Sequence, residues 1–254
     1  MSKLQSGGEK GKGRGAFIVF EGLDRSGKTT QSSALVDALR EKGVTVQTLR
    51  FPVRSTKIGE ILNEYLSKGK DLPEQVAHLL FSANRWEMQP KIEEWLRNGD
   101  TVITDRYAFS GIAYSSGALG LDPVFCRTSD SGVIAPDAVF FLKVDPEVAA
   151  KRGDYGQERY ERLETQKRVA AAYGTFDGEP FWKVLDGHQP QEALKAQVLS
   201  EAQAVLSACA QWDGSRSEFK RLWGPAPISS PPLFGGEKGK DGVGSGERDV
   251  EVPN

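Results

Sequence analysis

An α/β fold, with a five-stranded parallel sheet flanked by helices, is what this sequence predicts, and three observations carry the prediction. Short β-rich runs alternate with longer stretches of helical period, most of those runs are nearly unbroken apolar sequence, and the first leads through a glycine-rich turn into an amphipathic stretch. Alternation of the two patterns predicts helices layered on a sheet. Unbroken apolar strands are those covered on both faces, which is the situation of a parallel sheet.

The elements follow in chain order. AFIVFEG at 16–22 is the first strand, and 28–42 is a helix with Ala34, Leu35, Ala38 and Leu39 on one face. VTVQTLRF at 44–51 is the second strand. Glu74 to Asn98 has helical period, but Pro90 lacks an amide donor and is expected to kink or interrupt it. TVITD at 101–105, AVFFLKV at 138–144 and WKVLD at 182–186 supply the remaining strands, and 191–208 is a helix with Leu194, Val198, Ala202 and Val205 on its inner face. No internal repeat is visible.

Residues 1–14 are rich in Gly and Lys, and 224–254 in Gly, Pro and Ser. Such compositions bury too little apolar surface to offset the entropy of ordering, so both are expected to be flexible tails around one domain at 15–223. The length of 254 residues with 38% apolar content suits one sizeable core. A net charge of −2 argues against a nucleic acid backbone or an anionic membrane as main partner, while leaving room for local basic sites. Cys126 and Cys209 stand far apart and outside any disulfide or zinc spacing. With no run of about 18 apolar residues and no apolar leader core, the expectation is a cytoplasmic protein, the nucleus left open.

Gly22-Leu23-Asp24-Arg25-Ser26-Gly27-Lys28-Thr29 fits the phosphate-binding pattern GxxxxGK[ST], and it lies between an apolar strand and an amphipathic helix, as the chemistry requires. The glycines let backbone amides turn toward phosphate oxygens, the helix N-terminus adds positive potential, and Lys28 reaches the β- and γ-phosphates. Thr29 is the expected Mg²⁺ ligand. This loop establishes nucleotide phosphate binding and no particular reaction. A guanine-reading Asn-Lys-x-Asp segment is absent from the sequence, which argues against a GTPase.

Transfer between two phosphate groups needs cations on donor and acceptor alike. Arg54, Arg85, Arg106 and Arg152 each fall after a strand or near one, and Asp105 with Arg106 would emerge at the carboxyl edge of the sheet beside the loop, where Asp105 could hold Mg²⁺ or its waters. A single such arginine reads more readily as a solvated surface charge or a rim ion pair; here four coincide. His78 and His188 have no partners arranged for acid/base work.

Taken together, FEGLDRSGKTTQS, LRFPVRST, LLFSANRWE, DRYAFSG and AAKRGDYGQERYE resemble the motifs of the thymidylate kinases, in order and spacing, over nearly all of 15–223. The resemblance implies a three-layer P-loop nucleoside monophosphate kinase fold with strand order 2-3-1-4-5. It also implies transfer of phosphate from MgATP to dTMP, giving dTDP for dTTP synthesis, and a homodimer. Carried onto this chain, it gives Lys28, Arg25 and Arg106 catalytic roles, and ATP to Gly22, Ser26, Gly27, Lys28, Thr29, Thr30 and Arg152. Mg²⁺ falls to Thr29 and Asp105. For dTMP it implies Asp24 on the 3′-hydroxyl, Phe81 stacked on thymine, Arg85 on its O4, Arg54 and Arg106 on its phosphate, and Phe51, Ser110, Gly111, Tyr114, Tyr160 and Gln166 around base and sugar. A lid is expected near 152–160, and Arg25 resembles the subclass with its catalytic arginine in the P-loop. Val53 departs from the acidic residue common at that position. Two rivals stay open: a kinase of another nucleoside monophosphate, such as dUMP or a broad range of pyrimidines, and a protein that binds ATP without turnover.

Overall fold

A computed structural model of the chain describes residues 13–67, 69–152, 158–212 and 219–224. The expected tails, apart from residues 13, 14 and 224, lie outside the described residues, as does the centre of the expected lid at 153–157.

Five strands, β1 (Phe17–Glu21), β2 (Val46–Arg50), β3 (Thr101–Asp105), β4 (Ala138–Lys143) and β5 (Trp182–Asp186), form one parallel sheet in the order β2-β3-β1-β4-β5. β1 is central, with Ile18 opposite both Ile103 of β3 and Ala138 of β4. Alternate residues of β1 feed two cores: Phe17 and Val19 point into one layer, Ile18 and Phe20 into the other. This is why its sequence shows no polar alternation. β2 and β5 lie at the edges and retain half-exposed positions. β2 starts two residues later than the apolar run suggests, although Phe51 continues its pairing through a 3.0 Å bond from its amide to the Asp105 carbonyl.

Helices α1 (Lys28–Glu41) and α8 (Gln191–Ala210) pack on each other over the Ile18 face. The Phe17 face is covered by α3 (Glu74–Arg97), α4 (Ala108–Gly117) and α7 (Leu163–Tyr173). α2 (Lys57–Leu66) packs against α3, while α5 (Pro123–Thr128) and α6 (Pro146–Ala149) are short connectors. The expected break at Pro90 is corrected: α3 continues through it. Pro90 is exposed, and the residue whose carbonyl loses its amide partner, Trp86, is 38% exposed, so water can satisfy what the helix cannot. The sequence reading assigns no helix to α2, α4 or α7. No helix among the described residues is long and apolar enough to cross a membrane.

Candidate active site

The turn between β1 and α1 needs left-handed backbone at Gly22 (φ 143°), Arg25 (φ 61°) and Gly27 (φ 99°). A side chain at Gly22 would also bring its Cβ within 2.7 Å of the Leu142 carbonyl, so glycine is required there twice over. Lys28, the first residue of α1, is buried and its Nζ donates to the Leu23 carbonyl at 2.6 Å, closing the loop on itself. Burial and the neighbouring Arg106 guanidinium together bring the Lys28 ammonium down to about 8, against the pull of Asp105, Asp24 and Glu21. A cation held in so poor a solvent gains more than usual from an arriving phosphate.

Thr29 Oγ1 donates to Asp105 Oδ2 at 2.6 Å, joining the start of α1 to the end of β3. Among the described residues Asp105 Oδ1 is buried with no hydrogen-bond partner, and so is Ser26 Oγ. Two oxygens side by side, with an unsatisfied carboxylate oxygen next to them, fit a hard divalent cation that draws its other ligands from phosphate and water. Among the described residues no cluster of three His, Cys, Asp or Glu side chains offers a metal cage. Thr30, next along α1, is exposed.

A cleft of about 610 Å³ runs along this loop, bounded by Asp24–Gln31, Arg152, Gly187, Gln189, Gln191 and Leu194. Arg152 closes its flank by donating to the carbonyls of Arg25 at 2.9 Å and Gly187 at 3.1 Å. Beside it lies a tighter cleft of about 90 Å³, whose walls include Phe51, Arg54, Phe81, Arg85, Ser110, Gly111, Tyr114 and Tyr160. Asp24, Arg50, Arg106 and Glu158 line both clefts. Gln166 lines neither; it is buried behind Asp24, donating to Oδ2 at 2.9 Å.

Asp24 and Arg106 form the wall between the clefts. Arg106, itself at φ 70°, donates to Asp24 Oδ1 and, at 3.1 Å, to Ser110 Oγ, and its guanidinium lies 5.0 Å from the Tyr114 ring centroid. Tyr114 adds a 2.9 Å bond to Asp24 Oδ2. Burial raises the Asp24 carboxyl, but Arg106 and Lys28 prevail and hold it below its ordinary value. Arg54, half-exposed, donates to Asn63 and, at 2.7 Å, to Glu158, and Arg25 lies 3.5 Å from Glu161. Arginines on both sides of the wall thus face carboxylates of the segment after residue 157.

In the smaller cleft Phe81 meets Tyr65 edge-on at 6.4 Å, and Tyr65 shares a 2.8 Å hydroxyl bond with Tyr160. Arg85 lies directly over Gly111, where an added Cβ would stand 2.6 Å from Nη2. Val53, where the acidic residue of the motif is missing, is pinned by its backbone to Asn84 at 2.7 Å.

Charged residues of the cleft walls, Arg50, Glu158 and Glu161, and two buried carboxylates that hold site residues escaped the sequence reading. Glu21 is fully buried at the end of β1, accepting from the amides of Tyr107 and Ser110 and from the hydroxyls of Ser110 and Tyr173. Burial raises its carboxyl above the usual range. An acid in an otherwise apolar central strand was the available signal. Asp130, paired with Arg85, sits in a polar loop and gave none. His78 is buried among Ser115, Cys126 and Ser129 rather than at either cleft, and His188 faces Asp145 at the surface.

A family model for thymidylate kinase matches residues 20–198. The chain is 46% identical over 212 residues to the thymidylate kinase of Plasmodium falciparum, an alignment covering 84% of this chain and 98% of that one. With the human thymidylate kinase the identity is 45% over 212 residues, covering 83% and 98%. The solved structure of a thymidylate kinase from Candida albicans, described as having broad substrate specificity, matches with a TM-score of 0.70 at 31% identity, over 82% of this chain and 98% of that one.

Proposed function

The chain belongs to the thymidylate kinase family and phosphorylates dTMP to dTDP with ATP as phosphate donor; from that premise we propose how its own residues do so. The observation that carries the reading is the wall of Asp24 and Arg106, which lines both the cleft along the phosphate-binding loop and the tighter cleft beside it. ATP lies in the larger cleft with its phosphates on the loop amides, Lys28 and Arg25, and with Arg152 at its flank. The dTMP phosphate meets Arg106 and Arg54, displacing Glu158 from Arg54. Its base enters between Phe81 and Gly111 under Arg85.

Asp24 can accept the 3′-hydroxyl because its two oxygens offer about four lone-pair sites and the three donors seen on them leave one over. Thr29 and Asp105 would hold Mg²⁺, which would supply charge neutralisation at the transferred phosphoryl group. No covalent nucleophile is required, since the acceptor oxygen is already anionic and alignment with charge neutralisation suffices. A homodimer fits the apolar stripe that α3 leaves outside, with Val76 43%, Leu79 47% and Trp86 38% exposed at helical spacing. The same reading puts the protein's work in the cytosol, the nucleus left open.

The experiment is ADP release from MgATP with dTMP, dUMP, dCMP, dGMP and UMP offered at equal low concentrations, with and without a chelator. Strong preference for dTMP and loss of turnover on chelation support the pocket and the metal. Equal use of dCMP would overturn the roles of Phe81 and Arg85, and undiminished turnover without divalent cation would overturn those of Thr29 and Asp105.

A further inference from the structure

Arg85 is held in the smaller cleft by a fixed pair. Its side chain is 3% exposed and that of Asp130 0%. Nε donates to Asp130 Oδ1 at 2.9 Å and Nη2 to Oδ2 at 2.6 Å, while Ser82 Oγ adds a 2.9 Å bond to Oδ1. A two-pronged pair fixes the plane of a guanidinium as well as its position. Of five N–H groups it consumes two, leaving three for whatever enters over Gly111.

Asp130 itself lies between α5 and β4, on a stretch with no regular element of its own. That stretch is bound by the far end of the chain. Gly132 donates its amide to the Leu222 carbonyl at 2.9 Å, Leu222 returns one to Val133 at 2.9 Å, and Ala135 donates to Lys220 at 2.8 Å. Ile134 and Arg221 thereby form an antiparallel bridge. The segment is seated firmly: Leu222 is 2% exposed and Phe219 7%, and Trp223 packs on Phe109 and Phe176 with ring centroids 5.6 and 6.4 Å away. None of its residues lines either cleft, and all lie beyond the residues 20–198 that the family model matches.

We propose that Asp130, braced by the C-terminal segment Phe219–Gly224, is a positioning residue for Arg85, and that this brace sets discrimination between a 4-oxo and a 4-amino pyrimidine monophosphate. The proposal rests on Arg85 being the base-edge donor. A fixed cationic donor rewards an oxygen at C4 and meets an amino group there with donor against donor; a loosened one withdraws and loses both effects. Contacts of the phosphate and sugar with Arg106 and Asp24 do not pass through this pair, so loosening it acts on selectivity and acceptor binding more than on turnover.

The test measures kcat and KM for dTMP and dCMP, and KM for ATP, in the full chain carrying Arg85→Ala, Asp130→Asn, Asp130→Glu, Leu222→Ala, or Leu222→Ala with Trp223→Ala. Asp130→Asn is expected to lower the dTMP:dCMP ratio of kcat/KM by about tenfold or more through the KM for dTMP, with kcat and the KM for ATP within about twofold. Asp130→Glu recovers part of the ratio, and the two C-terminal variants lower it by about threefold with the same split. If Asp130→Asn does not fold, Leu222→Ala carries the test under the same criteria. An unchanged ratio in the Asp130 and C-terminal variants, alongside a collapsed one in Arg85→Ala, overturns the brace and leaves base reading by Arg85 standing. An unchanged ratio in Arg85→Ala overturns that reading and the brace with it. Parallel loss of kcat and of affinity for both substrates would mark a merely structural pair, which also overturns the proposal.

Discussion

Lys28, proposed to meet the phosphates of ATP, can be tested through its own titration. In the free protein its ammonium loses its proton near pH 8, because burial and Arg106 disfavour the charge. Bound phosphates favour the charged form, so the bound value lies higher and ATP binding above pH 8 must take up a proton. Calorimetry at pH 9 in two buffers of different ionisation enthalpy should show uptake approaching one proton per ATP, with affinity falling about tenfold per pH unit; absence of uptake would place Lys28 away from the phosphates. For Arg25, the variant Arg25→Ala keeps a Cβ and therefore the same cost of left-handed backbone at φ 61°, so its effect isolates the guanidinium. It should lower kcat about a hundredfold or more while leaving the KM for dTMP nearly unchanged. An unaltered kcat in steady-state assays would remove Arg25 from the reaction.

At the scale of elements, α3 carries more than its share. One helix supplies Phe81 and Arg85 to the smaller cleft, and His78, Ser82, Trp86 and Gln89 to hydrogen bonds that pin the stretch from Cys126 to Ile134. Pro90 leaves one backbone bond of this helix unmade on its exposed side. Pro90→Ala is therefore expected to stabilise the protein by about 1–3 kcal/mol, raising Tm by roughly 2–4 °C per kcal/mol for a chain of this size. A lower Tm by calorimetry would mean that proline instead fits a bend on which the packing against α4 depends. The sequence announced α1 and α8 because each turns one apolar face to a sheet. It hid α4, with buried residues on nearly every side; α2 went unread although Thr56, accepting from the Gly59 amide at 3.0 Å, and Glu60 in the first turn mark its start and Leu62, Tyr65 and Leu66 form its buried face.

For the whole molecule, the exposed stripe of Val76, Leu79 and Trp86 on α3, next to Val124 and Phe125 on α5, is the apolar surface a second copy would cover. Leu79→Glu should shift sedimentation from dimer toward monomer at micromolar concentration, since a charge in such an interface is stripped of water without a partner. If the wild-type chain sediments as a monomer, the stripe has another use.

Fold class, strand order and the phosphate-binding loop were legible in the sequence because each rests on local signals: unbroken apolar strands, a glycine turn between strand and helix, and motifs of fixed spacing. Strand order came through the resemblance those motifs carry, since the periodicity of β1 to β5 does not order them. What tertiary structure alone decided are pairings between segments far apart in the chain. Arg106 with Asp24, Arg85 with Asp130, Glu21 with Tyr173, and Leu222 with Val133 join residues separated by 45 to 152 positions. No window of sequence contains both members of such a pair, and a buried charge is tolerated only where the fold delivers its partner.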